Sequence, residues 1–160
     1  MLNDKVKILV ILGPTASGKT SLAVDLAQKF NGEIVSADSR QVYRGMDIGT
    51  GKDLETYGDT PYHLIDVADP KEAFDLAQFK KLAEVAISDI VRRGKLPIIV
   101  GGSGLYLEAL INNFQLAEVK ADSKLRDVLE AKTIEEIFEI IQEHNPSFAA
   151  KINNSDLNNK

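Results

Sequence analysis

The run Gly13-Pro14-Thr15-Ala16-Ser17-Gly18-Lys19-Thr20 constrains this chain more than any other feature. It matches GxxxxGK[ST], follows the strand-like apolar run Val6 to Leu12 and opens a helix-like stretch, the context in which the pattern holds phosphate. Glycines let backbone amides turn inward around phosphate oxygens, and the helix N-terminus adds partial positive charge. Lys19 would neutralise the anion, and the Thr20 hydroxyl would reach a magnesium ion. The competing reading is a plain strand-to-helix turn with Lys19 solvated. The full pattern in this context favours a bound pyrophosphate or polyphosphate.

The rest of the chain alternates strand and helix. Val6 to Leu12 is a short continuous apolar run, which predicts a central parallel strand covered on both faces. From Lys19 the spacing turns helical, with Leu22, Ala23, Leu26, Ala27 and Phe30 on one stripe and Asn31-Gly32 as the left-handed stop. Glu33 to Ala37 predicts a second strand, Asp38 to Pro61 a long functional connection, and His63 to Val67 a short strand. A helix follows over Leu76 to Arg93, with Phe79, Leu82, Ala83, Ala86, Ile90 and Val91 facing inward. Leu96 to Val100 returns as a strand, and Gly101-Gly102-Ser103 leads into a helix through Leu110. Such alternation specifies a parallel sheet with helices on both faces, whose strand ends share one functional edge.

After Asn112 the character changes to charged helices. Asp122 can cap one containing Leu125, Val128 and Leu129, and Thr133 with Glu136 forms a capping box before Ile134, Ile137, Phe138 and Ile141. The expected organisation is an incomplete core over 1–112, a helical segment over 113–152 and a polar tail over 153–160. The fold class is α/β, a three-layer arrangement like that of P-loop NTPases with a short appended helical segment.

Composition narrows the chemistry. With 160 residues, 44% hydrophobic and 27% charged, the chain fits one folded domain. It has no cysteine and two histidines, His63 and His144, which excludes disulfides, thiolate metal sites and a histidine metal cluster. The apolar start is too short for a signal peptide or a membrane span, so the expected compartment is cytoplasmic, with no membrane partner. A net charge of −5 argues against a surface that coats nucleic acid generically, though not against a local basic groove.

Phosphate chemistry divides into classes. No DxxG switch or NKxD base-reading motif follows the loop, which disfavours a GTPase. A small nucleotide-dependent kinase remains open, with Asp38, at the end of the strand after the first helix, activating an acceptor hydroxyl. A noncatalytic phosphate-binding remnant is a third reading.

Five blocks in order carry a more specific resemblance: Gly13 to Thr20, Asp38 to Tyr43, Gly45 to Lys52, His63 to Asp66 and Gly101 to Tyr106. Together they resemble the tRNA dimethylallyltransferase (tRNA isopentenyltransferase) family, from about Lys7 onward. The resemblance implies transfer of a prenyl group from dimethylallyl diphosphate to the exocyclic amine of an adenosine beside the tRNA anticodon. Loop residues Gly13, Pro14, Thr15, Ala16, Ser17, Gly18, Lys19 and Thr20 would hold the donor diphosphate with Mg2+, although an anion loop alone does not distinguish a prenyl diphosphate from a nucleotide. By similarity, Asp38 would accept the amine proton or orient the amine, Lys19 would stabilise the leaving diphosphate and Ser103 would contact diphosphate or adenosine. Ser39, Arg40 and Gln41 fall on the segment that touches RNA together with Asp38 and Ser103, and Arg126 aligns with a similar contact.

Each assignment has a plainer alternative. Asp38 could be a strand-end cap, Ser103 a helix cap and Arg126 a solvated residue. Tyr43 and Tyr106 fit core packing, Asp66 fits a turn, and His63 fits a hydrogen-bonded structural role. The family runs to roughly twice this length, so a missing C-terminal half or a partner chain is expected to complete the channel and the anticodon stem-loop site.

Overall fold

A computed structural model describes residues 7–114, 116 and 122–153. The chain divides into two compact units, Met1–Ala117 and Glu118–Lys160. The first contains β1 (Leu9–Leu12), α1 (Lys19–Phe30), β2 (Gly32–Ser36), β3 (Tyr62–His63), α2 (Leu76–Arg92), β4 (Leu96–Gly101) and α3 (Gly104–Ile111), with a 3-10 turn over Leu54–Tyr57. All strand pairs are parallel, in the order β1-β4-β2-β3.

Alternation along the strands builds the layers. Val35 and Ile99 point to the face covered by Phe79, Ala83, Ile87 and Ile90 of α2 and by Leu107 and Leu110 of α3. Ile34, Ile98 and Val100 point to the opposite face, against Ala23, Val24 and Ala27 of α1. Two covered faces explain why these strands read as unbroken apolar runs.

Five sequence expectations need correction. β1 is an edge strand among the described residues, paired only with β4, and Leu12 is 62% exposed; β4 and β2 form the buried centre. Val6 lies outside the described residues. The inward face of α1 is Ala23, Val24 and Ala27, whereas Leu22 and Phe30 are half-exposed; small residues on that face bring the helix close to the sheet. On α2 the inward face likewise takes Ile87 and leaves Leu82 partly exposed. The strand expected from His63 to Val67 stops at His63, because Leu64 (φ 65°) and Asp66 (φ 57°) adopt left-handed backbone that cannot continue a ladder. Asn31 alone supplies the left-handed stop of α1 (φ 50°). Gly32 already belongs to β2, where a Cβ would lie 2.8 Å from the Leu96 carbonyl oxygen.

Beneath the sheet, β2 buries a charge. Glu33 is 1% exposed and accepts from both Arg93 guanidinium nitrogens, from Lys95 at 2.8 Å and from the His63 ring at 2.8 Å. His63 is thus a hydrogen-bonded structural residue. The Arg93 bonds outweigh burial and, with Lys95 and His63, hold the Glu33 carboxyl well below its ordinary 4.5. A depressed carboxyl stabilises the fold above its unfolded-state value, and that contribution is lost as pH falls toward the folded-state value. Acid titration should therefore erode stability progressively below about pH 5. Glu33→Gln should cost about 3 kcal/mol at neutral pH and flatten that acid limb, as read by urea unfolding at several pH values; the partly exposed partners keep the cost at the low end for a broken buried ion pair.

The second unit contains α4 (Ser123–Glu130), α5 (Ile134–His144) and α6 (Pro146–Ala149). Asp122 caps α4 through the Leu125 amide, and Thr133 with Glu136 closes the expected capping box on α5. α5 and α6 pack together, with Ala149 buried. Of the tail expected over 153–160, residues 154–160 lie outside the described residues. No described helix is long and apolar enough to cross a membrane.

Candidate functional site

The phosphate loop joins β1 to α1 as the sequence predicts. Gly18 (φ 80°) and Ala16 (φ 61°) both take left-handed backbone, and at Ala16 this costs roughly 1–2 kcal/mol. Such strain persists where the surrounding structure holds a functional loop shape. The first turn of α1 has no side-chain cap and no acidic residue, whereas α2, α4 and α5 are each capped by an Asp or Thr side chain. Uncapped amides and the helix dipole leave this end suited to an anion. Lys19 folds its ammonium back onto the Pro14 carbonyl, placing the charge on the loop itself.

The ends of β2 and β4 meet beside the loop. The Ala37 amide donates to the Val100 carbonyl (2.8 Å), and the Ser103 amide donates to the Ala37 carbonyl (3.3 Å). Gly101 makes this crossing possible: a Cβ there would sit 2.1 Å from the Ala37 carbonyl oxygen. Gly102 also approaches the loop, its Cβ position 3.6 Å from the Gly13 carbonyl oxygen. Asp38 and Ser103 are therefore delivered to one edge by backbone contact.

Local hydrogen bonds then aim the side chains. Asp38 Oδ1 accepts from the Arg40 amide (2.9 Å) and the Gln41 amide (3.4 Å), a turn closed by the carboxylate. No protein donor reaches Oδ2 among the described residues. Ser103 stands at the N-cap position of α3 without capping it; its Oγ accepts instead from the Ser39 amide (3.1 Å). Gln41 accepts from the Ser36 hydroxyl (2.9 Å) and donates to the Gly51 carbonyl (2.9 Å), drawing the 49–51 segment to the same edge.

That segment is anchored from behind by Lys52. Its side chain is fully buried and donates to the Tyr43 carbonyl, to Asp47 (3.1 Å) and to Asp66. Burial pulls its pKa down, but Asp66 and Asp47 outweigh that and raise it. Asp66 is thus a turn and ion-pair residue. Tyr106 is buried and stacks on Phe79 at 4.0 Å, and Tyr43 meets Phe74 edge-on, so both tyrosines have packing roles.

Together these elements enclose a cleft of about 570 Å³ that runs from Thr15–Ser21 past Asp38–Gln41 to Gly101–Ser103. Gly13 and Pro14, expected to bind phosphate, are not among the residues that line it. Arg126 is exposed on α4 in the second unit.

Sequence reasoning missed Gly49, Thr50, Gly51, Asp53 and Tyr57, which also line the cleft. Tyr57 is 2% exposed. Burial pushes its pKa up to about 12. The glycine density of residues 45–51 was the available signal for the loop. Nothing in the sequence tied Tyr57 to this cleft.

Comparisons with known proteins place the chain in a family. The sequence model of the IPP transferase family matches residues 41–159. The tRNA dimethylallyltransferase 1 of Geotalea uraniireducens is 55% identical over 139 residues, covering 87% of this chain and 46% of that protein. The crystal structure of the full-length tRNA isopentenylpyrophosphate transferase from Bacillus halodurans superposes with a TM-score of 0.69 at 44% identity, over 96% of this chain and 52% of that one. A eukaryotic dimethylallyltransferase acting on tRNA gives a TM-score of 0.77 at 37% identity, over 96% of this chain and 39% of that one. The chain spans about half the length of the curated relatives it matches. With the family model matching most of its length and the phosphate cleft built as described, this chain belongs to the IPP transferase family.

Proposed function

We propose that this chain carries the donor-binding and amine-activating part of a tRNA dimethylallyltransferase, which moves the dimethylallyl group of dimethylallyl diphosphate onto the exocyclic amine of an adenosine next to the anticodon. The observation that supports this most is the convergence of the Gly13–Thr20 loop with Asp38 and Ser103 on one cleft.

In this reading the amine nitrogen attacks the carbon bearing the diphosphate. A C–N bond forms, the C–O bond breaks and the diphosphate leaves with the electron pair. Lys19 and the loop amides meet the charge that grows on the departing oxygens. Asp38 Oδ2 accepts the amine proton or holds the amine in line, because Oδ1 is already committed to its own turn. Ser103 and Ser39 steady the opposite wall, and Arg40, exposed at the rim, faces the RNA phosphates. Arg126 would add an RNA contact from the second unit.

Magnesium fits these residues. Among the described residues no group of three or more His, Cys, Asp or Glu could cage a metal. Mg2+ commonly binds through substrate phosphates, water and one or two protein oxygens. Thr20 would hold it here, with the Asp38 and Asp53 carboxylates on the same cleft. When bound, it neutralises charge on the leaving diphosphate.

The test is calorimetry with dimethylallyl diphosphate, pyrophosphate and ATP, joined to mass spectrometry of tRNA incubated with the donor. Tighter binding of the prenyl donor than of ATP, and a prenyl mass increment on the RNA, are expected. Folded protein that binds neither diphosphate would end this reading. Lys19→Ala should weaken pyrophosphate binding about 10- to 100-fold, the worth of a charged hydrogen bond to an anion.

A further inference from the structure

We infer that Lys52 is a positioning residue of this cleft: its buried ammonium ties the 49–51 segment to the Asp66 turn and so holds the wall on which the hydrocarbon part of the donor packs. The inference rests on the proposed function, which puts dimethylallyl diphosphate in the cleft.

Apolar packing does not hold this wall. Residues 44–49 are exposed, and Ile48 is 98% exposed. A Cβ at Gly49 would meet nothing within 4 Å, and one at Gly51 only the Gln41 side-chain nitrogen at 3.9 Å. Polar anchors hold it instead. The Lys52 ammonium donates to the Tyr43 carbonyl, to Asp47 (3.1 Å) and to Asp66, which occupies its three protons. It thereby closes the loop from residue 43 to residue 52 and pins it to a turn outside the loop. Gln41 is the second anchor, its side-chain amide donating to the Gly51 carbonyl (2.9 Å).

Both anchors lead to Asp38. The Asp66 amide donates to the Gln41 carbonyl (3.0 Å), and the Gln41 amide donates to Asp38 Oδ1 (3.4 Å). The wall is therefore bonded to the turn that presents Asp38, while the Gly13–Thr20 loop supplies the anion site on the same cleft. In the proposed reaction the attacked carbon lies between the amine and the diphosphate, so the hydrocarbon chain falls beside this wall rather than on the phosphate loop. Bare backbone at Gly49 and Gly51 leaves room for a short branched chain and offers it Cα surface. A buried ammonium is a costly way to stabilise a loop, since an apolar side chain of similar length fills the space without the desolvation penalty. What it adds is direction, because three bonds fix the loop at three points.

Calorimetry with dimethylallyl diphosphate and with inorganic pyrophosphate, joined to amide hydrogen exchange, tests this on the wild type, Lys52→Met and Asp66→Asn. Methionine keeps the length of the side chain, and the Asp47 and Asp66 carboxylates it frees are partly exposed and can take up water. Asparagine tolerates the left-handed backbone of Asp66 (φ 57°), so that variant removes the charge alone and keeps the test open if Lys52→Met does not fold. Lys52→Met should weaken dimethylallyl diphosphate about tenfold, the worth of roughly two buried methylene groups, and change pyrophosphate affinity less than about twofold. Exchange should quicken at the amides of 49–53 and stay unchanged in β4. Asp66→Asn should give the same pattern at about threefold. Equal losses for the two ligands, no loss for either, or exchange that quickens in β4 as much as in 49–53 would each overturn the role of Lys52 and leave the proposed function standing. A folded wild type that binds neither diphosphate would overturn both.

Discussion

Asp38→Asn is expected to leave diphosphate binding intact and to slow prenyl transfer about a thousandfold, within the range for removal of a positioned general base. The amide oxygen of asparagine can still accept from the Arg40 and Gln41 amides, so the turn that Asp38 Oδ1 now closes survives. What disappears is the second carboxylate oxygen, the one without a protein donor among the described residues. Asp38→Ala removes both functions, and should therefore weaken donor binding as well by loosening residues 39–41. Single-turnover transfer to tRNA, measured on a transfer-competent form beside calorimetric donor binding, separates the two variants. Near-normal turnover by Asp38→Asn would assign Asp38 to turn closure alone.

Gly101→Ala should cost about 3 kcal/mol or more, a large share of the stability of a domain this size. The added Cβ would lie 2.1 Å from the Ala37 carbonyl oxygen, 2.5 Å from its carbon and 3.0 Å from its Cα. These are backbone atoms in the sheet and cannot swing aside like a side-chain tip. Relief requires separating the ends of β2 and β4, which also moves Asp38 away from Ser103. Gly102→Ala is the control: its Cβ would meet its nearest neighbour at 3.6 Å, an ordinary contact, and should change stability by less than about 1 kcal/mol. Urea unfolding of both variants decides the matter, and equal midpoints would mean that the strand ends do not approach as closely as described.

Much of the fold was legible because its signals are local. The capping chemistry of Asp122 and of Thr133 with Glu136 appears where residue type and spacing placed it. So do the phosphate loop, the alternation of strand and helix, and the parallel sheet with helices on both faces. The misreadings of the two helix faces share one cause, which is that periodicity identifies an apolar stripe but not which part of it meets the sheet. On α1, Ala23 and Ala27 turn inward while Leu22 and Phe30 remain half-exposed. The apolar run of β1 likewise resembles that of a central strand, and strand order is a property of the whole sheet.

The site divides along the same line. Residues 13–20 announce an anion because glycine torsions, an uncapped helix start and one ammonium all act within eight consecutive positions. Long-range partners carry no such local mark. Ser103 bonding the Ser39 amide across 64 positions, Gln41 drawing in Gly51, and Tyr57 lining the phosphate cleft depend on where parallel strands deliver their ends. Only the folded sheet brings those groups together, because parallel strands that are distant in sequence end on a common edge.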